Sequence, residues 1–335
     1  MLFYENLEEI IFHRHEVLNS VDQFIVLSGY VGPEPIRRLE TLPFPSRVVY
    51  GMYGEQGISA PLHRKLCQLE KDISNTEILY SKLPIHSKCY MWLSNKKIQH
   101  ALVGSANFSI NGLHSDYREV LAETTFDTFQ PLQHYLDFIL ERSQLCTDDA
   151  IQVKNISLSA NKDIADIPHN PDVCQLSFLV HKKTGETAPE GSGINWGFAK
   201  KGHNKPGDAY IAIPTWAIRQ YPNIFPPNQQ HALVLSPGAR ASRQNDAIEI
   251  IWDDGTTMTG LMEGSMPVDG ISFPKQISSA PDKGTMGKYL RSRMGLKEDA
   301  FVTKEDFNRY GRSTIDISRS GDGVYYMDFS SPIHG

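Results

Sequence analysis

Apolar and polar positions follow different rhythms in the two halves of the chain. In the first half, continuous apolar runs of strand length are separated by stretches with helical spacing. Residues 21–30 (VDQFIVLSGY) predict a buried strand ending in Gly-Tyr, and 33–42 predict a helix that begins at Pro33. Residues 46–53 and 76–83 predict two further strands, with an amphipathic helix over 62–69 between them. Residues 86–92 and 98–103 predict two strands joined by the polar turn Ser94-Asn95-Lys96-Lys97. A short strand over 117–123 and a helix over 126–142 follow. Strands alternating with helices predict an α/β layered domain.

After Cys146 the pattern breaks. Residues 147–172 are polar, contain two prolines and predict a linker. Beyond them the apolar runs are short and turn signals such as Pro206-Gly207 and Pro226-Pro227 are frequent. Asp253-Asp254-Gly255-Thr256, between IEIIW and TMTGL, predicts a hairpin. This half is expected to be mainly β, sandwich- or barrel-like, with helices near 285–294 and 303–309. The expected organisation is therefore a domain over 1–146, a linker over 147–172 and a second domain over 173–335. No internal repeat is visible.

A length of 335 residues, with 40% hydrophobic and 10% aromatic residues, suits two domains that each bury a core. No apolar run is long enough to span a bilayer. The acidic, mixed start of the chain does not read as a secretory signal. Cys67, Cys89, Cys146 and Cys174 lie far apart with no C-x-x-C pair, which argues against a zinc site and suits reduced thiols in the cytoplasm. The net charge of −6 hides an asymmetry. Residues 1–174 carry 15 Lys+Arg against 22 Asp+Glu, and residues 175–335 carry 18 against 17. In the second half the positive charge is bunched: Lys200, Lys201 and Lys205 form one cluster, and Lys283, Lys288, Arg291, Arg293 and Lys297 another with no acid between them. Local patches of this kind, rather than the overall sum, decide attraction to phosphate.

The chemistry is concentrated in residues 86–107. His86-Ser87-Lys88 puts an imidazole and an ammonium on the same side of an extended strand. Gly104-Ser105-Ala106-Asn107 forms a turn after the apolar run 101–103. Such a set can break a phosphodiester without a metal. His86 offers a nucleophilic nitrogen, Lys88 a fixed positive charge, and Ser105 and Asn107 neutral donors for phosphate oxygens. A carboxylate, Glu119, follows twelve residues after Asn107. His100 and His114 read as surface residues, Tyr90 and Trp92 as core or dimer contacts, and Trp196 as a core aromatic.

The order H-x-K then G-S-x-N resembles the phospholipase D superfamily. Where its lipid-acting branches carry an aspartate five residues after the lysine, this chain has Leu93. That departure points to the nuclease branch, in which a later carboxylate, here Glu119, serves. The resemblance implies a phosphohistidine intermediate, no metal or other cofactor, and, because only one motif is present, a homodimer whose two copies share one centre.

In the second half, Gly193-Ile194-Asn195-Trp196-Gly197, residues 208–214, residues 287–293 and Tyr310-Gly311-Arg312 follow one another in an order that closely resembles the NgoFVII-type restriction endonucleases. The resemblance covers nearly the whole chain. It implies an α/β N-terminal phospholipase D-like nuclease domain followed by a mainly-β B3-like pseudobarrel that grips double-stranded DNA with two basic and polar arms. Asn195, Lys200, Lys201, Asn204 and Lys205 would form the first arm. The second would run over 278–293, with Lys283, Thr285, Lys288, Arg291 and Arg293, and residues 284–287 would start a helix whose amides could meet a phosphate. These side chains could read bases or anchor phosphates. The expected activity is site-specific DNA cleavage in a bacterial restriction-modification system with a cognate methyltransferase. The chain has no G-x-x-x-x-G-K-S/T motif, so an ATPase or helicase-like partner would be a separate subunit. The competing readings are a phospholipase D-like lipid phosphodiesterase and a DNA-binding protein with an inactive nuclease domain.

Overall fold

The computed structural model describes residues 1–114, 116–154, 172–182, 185–200, 204–228 and 245–331. Most of the expected linker and Lys201 lie outside them. The chain divides into two compact units, the first built on Met1–Asn155 and the second on most of the residues beyond 155.

The first unit is an eight-stranded mixed sheet. Its order is Leu2–Phe3, Leu121–Glu123, Lys97–Gly104, Lys88–Ser94, Gln23–Ser28, Ser46–Tyr50, Thr76–Ser81 and Ser143–Leu145. Gln23–Ser28, Ser46–Tyr50 and Thr76–Ser81 are parallel to one another, and the remaining pairs are antiparallel. The parity of Lys88–Ser94 explains its apolar run. Cys89, Met91 and Leu93 face the helix Phe126–Leu140 through Leu136 and Ile139. Tyr90 and Trp92, on the other face, meet Phe108 and Phe24. Both faces are covered, so the strand cannot alternate apolar with polar. Each fully buried side chain of this kind contributes about 1.5–3 kcal/mol. Asn95 and Lys96 have φ of 51° and 63°, the left-handed pair that closes a two-residue hairpin in register with the strand twist.

Leu93 is 2% exposed inside this core. An aspartate there would be buried among Met91, Ile98 and Ala101. Three features differ from the sequence expectation. The edge strand Leu2–Phe3 and the helix Leu7–His13 give too short a pattern to stand out. His100 is 5% exposed rather than on the surface, and accepts a hydrogen bond from Arg14 Nε at 3.0 Å. The unit also runs past residue 146, because Val153–Lys154 pairs in parallel with Ile58–Ser59.

The second unit is mainly β. Seven strands lie in the order Cys174–Ser177, Thr314–Gly321, Val324–Asp328, Asp246–Trp252, Thr257–Glu263, Gln276–Ser279 and Ile211–Ala212. One pair, Asp246–Trp252 with Val324–Asp328, is parallel. The hairpin at 253–256 forms with Gly255 at φ 84°. The core gathers Ile248, Ile250, Ile277, Ile315, Ile317 and Met327 from the sheet, with Met286, Leu290 and Phe307 from the helices Gly284–Arg293 and Lys304–Tyr310. Lys304–Tyr310 has defined ends: Thr303 Oγ1 and the Asp306 carboxylate cap each other's N–H, and Gly311 closes the helix at φ 87°. The short helix Thr215–Gln220 was not visible in the sequence pattern. Among the described residues no helix is long and apolar enough to cross a membrane.

Candidate active site and DNA-reading surface

The candidate site forms at one end of the first sheet, where Gln23–Ser28 and Lys97–Gly104 finish and Lys88–Ser94 begins. The register places Ser28 beside Lys88, Cys89 beside Val103 and Gly104 beside Leu121. His86 precedes the strand by two residues rather than lying within it. It still shares Lys88's side, as the spacing predicted. Lys88 Nζ lies 3.0 Å from His86 Nδ1 and 3.3 Å from Nε2, and donates to the His86 carbonyl oxygen at 2.6 Å. The imidazole belongs to an exposed residue, whereas Lys88 is 5% exposed. Burial lowers the ammonium's pKa below the ordinary lysine value, and the Glu119 carboxylate opposes that shift. The arrangement is an imidazole open to solvent with a buried ammonium held against it.

The Gly104-Ser105-Ala106-Asn107 turn is fastened to the same place. Asn107 Oδ1 accepts from the Tyr30 N–H at 3.2 Å, the Ala106 carbonyl accepts from the Tyr90 hydroxyl at 2.7 Å, and Phe108 N–H donates to Ser28 Oγ at 2.9 Å. Ser109 caps the following turn by accepting from Gly112 N–H at 3.2 Å. Ser105 Oγ accepts from Val120 N–H at 3.1 Å, next to Glu119. That bond ties the carboxylate's segment to the motif. A Cβ at Gly104 would stand 1.9 Å from the Val120 carbonyl oxygen, so only glycine allows this approach. All five predicted catalytic residues, His86, Lys88, Ser105, Asn107 and Glu119, therefore belong to one end of the sheet.

Sequence reasoning missed Gly29 and Tyr30. Tyr30 stands edge-on to the His86 ring with centroids 5.9 Å apart. A Cβ at Gly29 would lie 3.0 Å from His86 Cδ2 and 3.4 Å from Lys88 Nζ. The Gly-Tyr at the end of the 21–30 run was the available signal. Gly29→Ala is expected to keep the fold but tilt the imidazole, lowering cleavage by about 10–100-fold. Initial rates beside a thermal melt check this; an unaltered rate would show that the ring has room to move.

In the second unit several predicted DNA contacts are engaged internally. Asn195 is wholly buried: its Nδ2 donates to the carbonyls of Pro189 and Val302, and its Oδ1 accepts from Val302 N–H at 2.9 Å. Arg291 is wholly buried, its guanidinium donating to the carbonyls of Ala300, Gly207, Gly287 and Ile194 at 2.7–3.3 Å. Burial lowers its pKa below the ordinary arginine value. Arg293 forks onto Asp253 at 3.1 and 2.7 Å and bonds the Tyr289 hydroxyl at 2.7 Å. Asn204 donates to the Trp196 carbonyl at 2.8 Å. Asn195 and Arg291 thus organise the loops from inside, which corrects the expectation that they face DNA, while Asn204 and Arg293 are half-buried. The amides at the start of Gly284–Arg293 are also occupied, Gly284 by Asp282 Oδ1 and Met286 by Ser279 Oγ, each at 2.9 Å. Arg312 lies between Asp316 and Asp328.

Lys200, Lys205, Thr285 and Lys288 are exposed. Lys288 sits 3.7 Å from Glu298, and Lys283 bonds Glu263 at 2.9 Å with its ammonium 5.1 Å from the Trp196 ring. Trp196 is half-buried and lines a cleft, which corrects its reading as a core aromatic.

Two family models match the chain. Residues 5–154 match the NgoFVII restriction endonuclease N-terminal PLD domain, and residues 169–320 match the NgoFVII C-terminal B3-like DNA-binding domain. The molecule is thus a phospholipase D-like nuclease domain joined to a B3-like pseudobarrel that binds DNA. The matches omit only the first four residues, 155–168 and the last fifteen, and the chain belongs to the NgoFVII restriction endonuclease family. Among solved structures, NucT from Helicobacter pylori is similar over 43% of this chain and 96% of its own, at 15% identity and a TM-score of 0.32. No curated protein matches the sequence.

Proposed function

We propose that the chain is a site-specific, metal-independent DNA endonuclease that works through a phosphohistidine at one centre shared by a dimer. The observation that carries this reading is the exposed His86 imidazole with the Lys88 ammonium 3.0 Å away. An unprotonated His86 nitrogen attacks phosphorus, forming the N–P bond as the P–O bond to the leaving strand breaks. The leaving oxygen takes a proton from a second histidine. That histidine then removes a proton from water, whose oxygen attacks phosphorus and releases His86. Lys88 and Asn107 meet the charge that builds on the non-bridging oxygens, while Ser105 and Glu119 hold the turn and orient a histidine. One copy offers one H-x-K motif, so the second histidine is His86 of a second copy across a two-fold axis.

The enzyme is proposed to act in the cytoplasm of a restriction-modification system, alongside a cognate methyltransferase and with a separate ATPase or helicase-like subunit as a candidate partner. Leu93, buried in the core, supports the nuclease reading over a lipid phosphodiesterase. The test is incubation with a GC-rich plasmid in EDTA without nucleotide, the ends being mapped by sequencing. Discrete cuts that vanish in His86→Ala support the reading. Cutting that requires a divalent ion refutes the metal-independent mechanism.

The shared centre makes a separate prediction. Wild-type and His86→Ala chains, mixed equally and allowed to exchange subunits, should retain about a quarter of wild-type activity, since only wild-type pairs hold both histidines. Independent centres would retain about half.

A further inference from the structure

Base discrimination needs amide, guanidinium or ammonium groups presented at fixed positions. Asn195 and Arg291 do not supply them, because both are wholly buried and backbone carbonyls hold their donors. A cleft of about 490 Å³ in the same unit does. Its lining includes the aromatic Trp196 and Tyr210 and the polar Lys275, Gln276 and Lys283. The buried Glu263 carboxylate, also on its lining, accepts from Gln276 Nε2 at 2.9 Å, from Asn245 Nδ2 at 3.3 Å and from Lys283 Nζ at 2.9 Å. Burial raises the pKa of this carboxyl, but the bonds from Lys283 and Gln276 outweigh it and keep the group a carboxylate.

We infer that Gln276 and Lys283, set in place by Glu263, determine which bases the protein accepts. The inference rests on the reading of this chain as a site-specific endonuclease. A primary amide has two N–H donors and one oxygen acceptor. Glu263 takes one N–H of Gln276, leaving a donor and an acceptor in a fixed plane. That pair matches the N7 acceptor and N6 donor on the major-groove edge of adenine. Lys283 is held between Glu263 and the Trp196 face, which turns a flexible side chain into a positioned cation suited to guanine O6 and N7. Lys200 and Lys205 are exposed and act on phosphate irrespective of sequence.

The test is selection of bound duplexes from a randomised DNA library at fixed salt, with His86→Ala in every chain so that the DNA stays intact. Gln276→Ala should lose about 10–100-fold of preference at one base pair while keeping the others, with affinity for unrelated DNA within about twofold. Glu263→Gln should blur the same position. Lys200→Ala should weaken all sequences alike. Folded Gln276→Ala and Glu263→Gln chains that both return the parent preference would overturn the inference while leaving site-specific cleavage standing. A parent chain that prefers no sequence would remove both. Gln276 is half-buried at the cleft, so its substitution keeps a usable variant if Glu263→Gln fails to fold.

Discussion

His86→Asn is expected to reduce DNA cleavage by roughly four orders of magnitude or more, the scale of loss when a covalent nucleophile is removed. Asparagine keeps a polar side chain of similar size but has no nitrogen able to attack phosphorus. The fold should not suffer, because His86 is exposed and precedes the strand. The melting temperature and DNA affinity should therefore stay near those of the parent, which separates lost chemistry from lost structure. Lys88→Met should also suppress cleavage, but through the charge that builds on phosphate rather than the N–P bond. A rapid quench into alkali should trap the phosphorylated chain in Lys88→Met and never in His86→Asn. Strong residual cutting by His86→Asn would assign the nucleophile elsewhere.

Much of this site was legible in the sequence because its signal is local. The H-x-K spacing fixes which side of an extended chain two groups share, whether or not the strand formally includes His86. G-S-x-N follows an apolar strand, and the turn lands where that strand ends. The strands at 23–28, 46–50 and 76–81 were legible for the same reason: burial on both faces leaves continuous apolar runs. The Gly-Tyr that ends the 21–30 run was visible, but the role of Gly29 was not legible. Its role comes from the approach of a neighbouring strand to His86, and a lone glycine carries no sign of what lies across from it. The burial of Asn195 and Arg291 was not legible for a related reason. A cluster of Lys and Arg announces charge, but not whether the donors face solvent or chain carbonyls. Arg291 and Arg293 are two residues apart on one helix, yet one is buried among carbonyls and the other is forked onto Asp253. Glu263 and Gln276 are not legible as a pair, because neither is basic and they meet only through the pairing of Thr257–Glu263 with Gln276–Ser279.

Arg291→Met is accordingly expected to weaken DNA binding by destabilising the reader rather than by removing a phosphate contact. The guanidinium donates to four carbonyls from three separate segments: the 193–198 turn, the 205–208 loop, and the helix Gly284–Arg293 with the chain just beyond it. Methionine fills part of the volume but leaves those oxygens without their donors. Removing one partner of such a buried polar set costs about 3–5 kcal/mol. For a unit of this size that lowers its melting temperature by about 10 °C or more. Lys200→Ala with Lys205→Ala should behave in the opposite way, leaving the melt unchanged and reducing the slope of log affinity against log salt by about 2. Arg291→Lys should rescue little, because an ammonium cannot reach four carbonyls set out for a planar fork. Calorimetry and salt-titrated binding on the same three proteins separate the two roles. A stable Arg291→Met chain with a shallower salt slope would return Arg291 to the DNA interface.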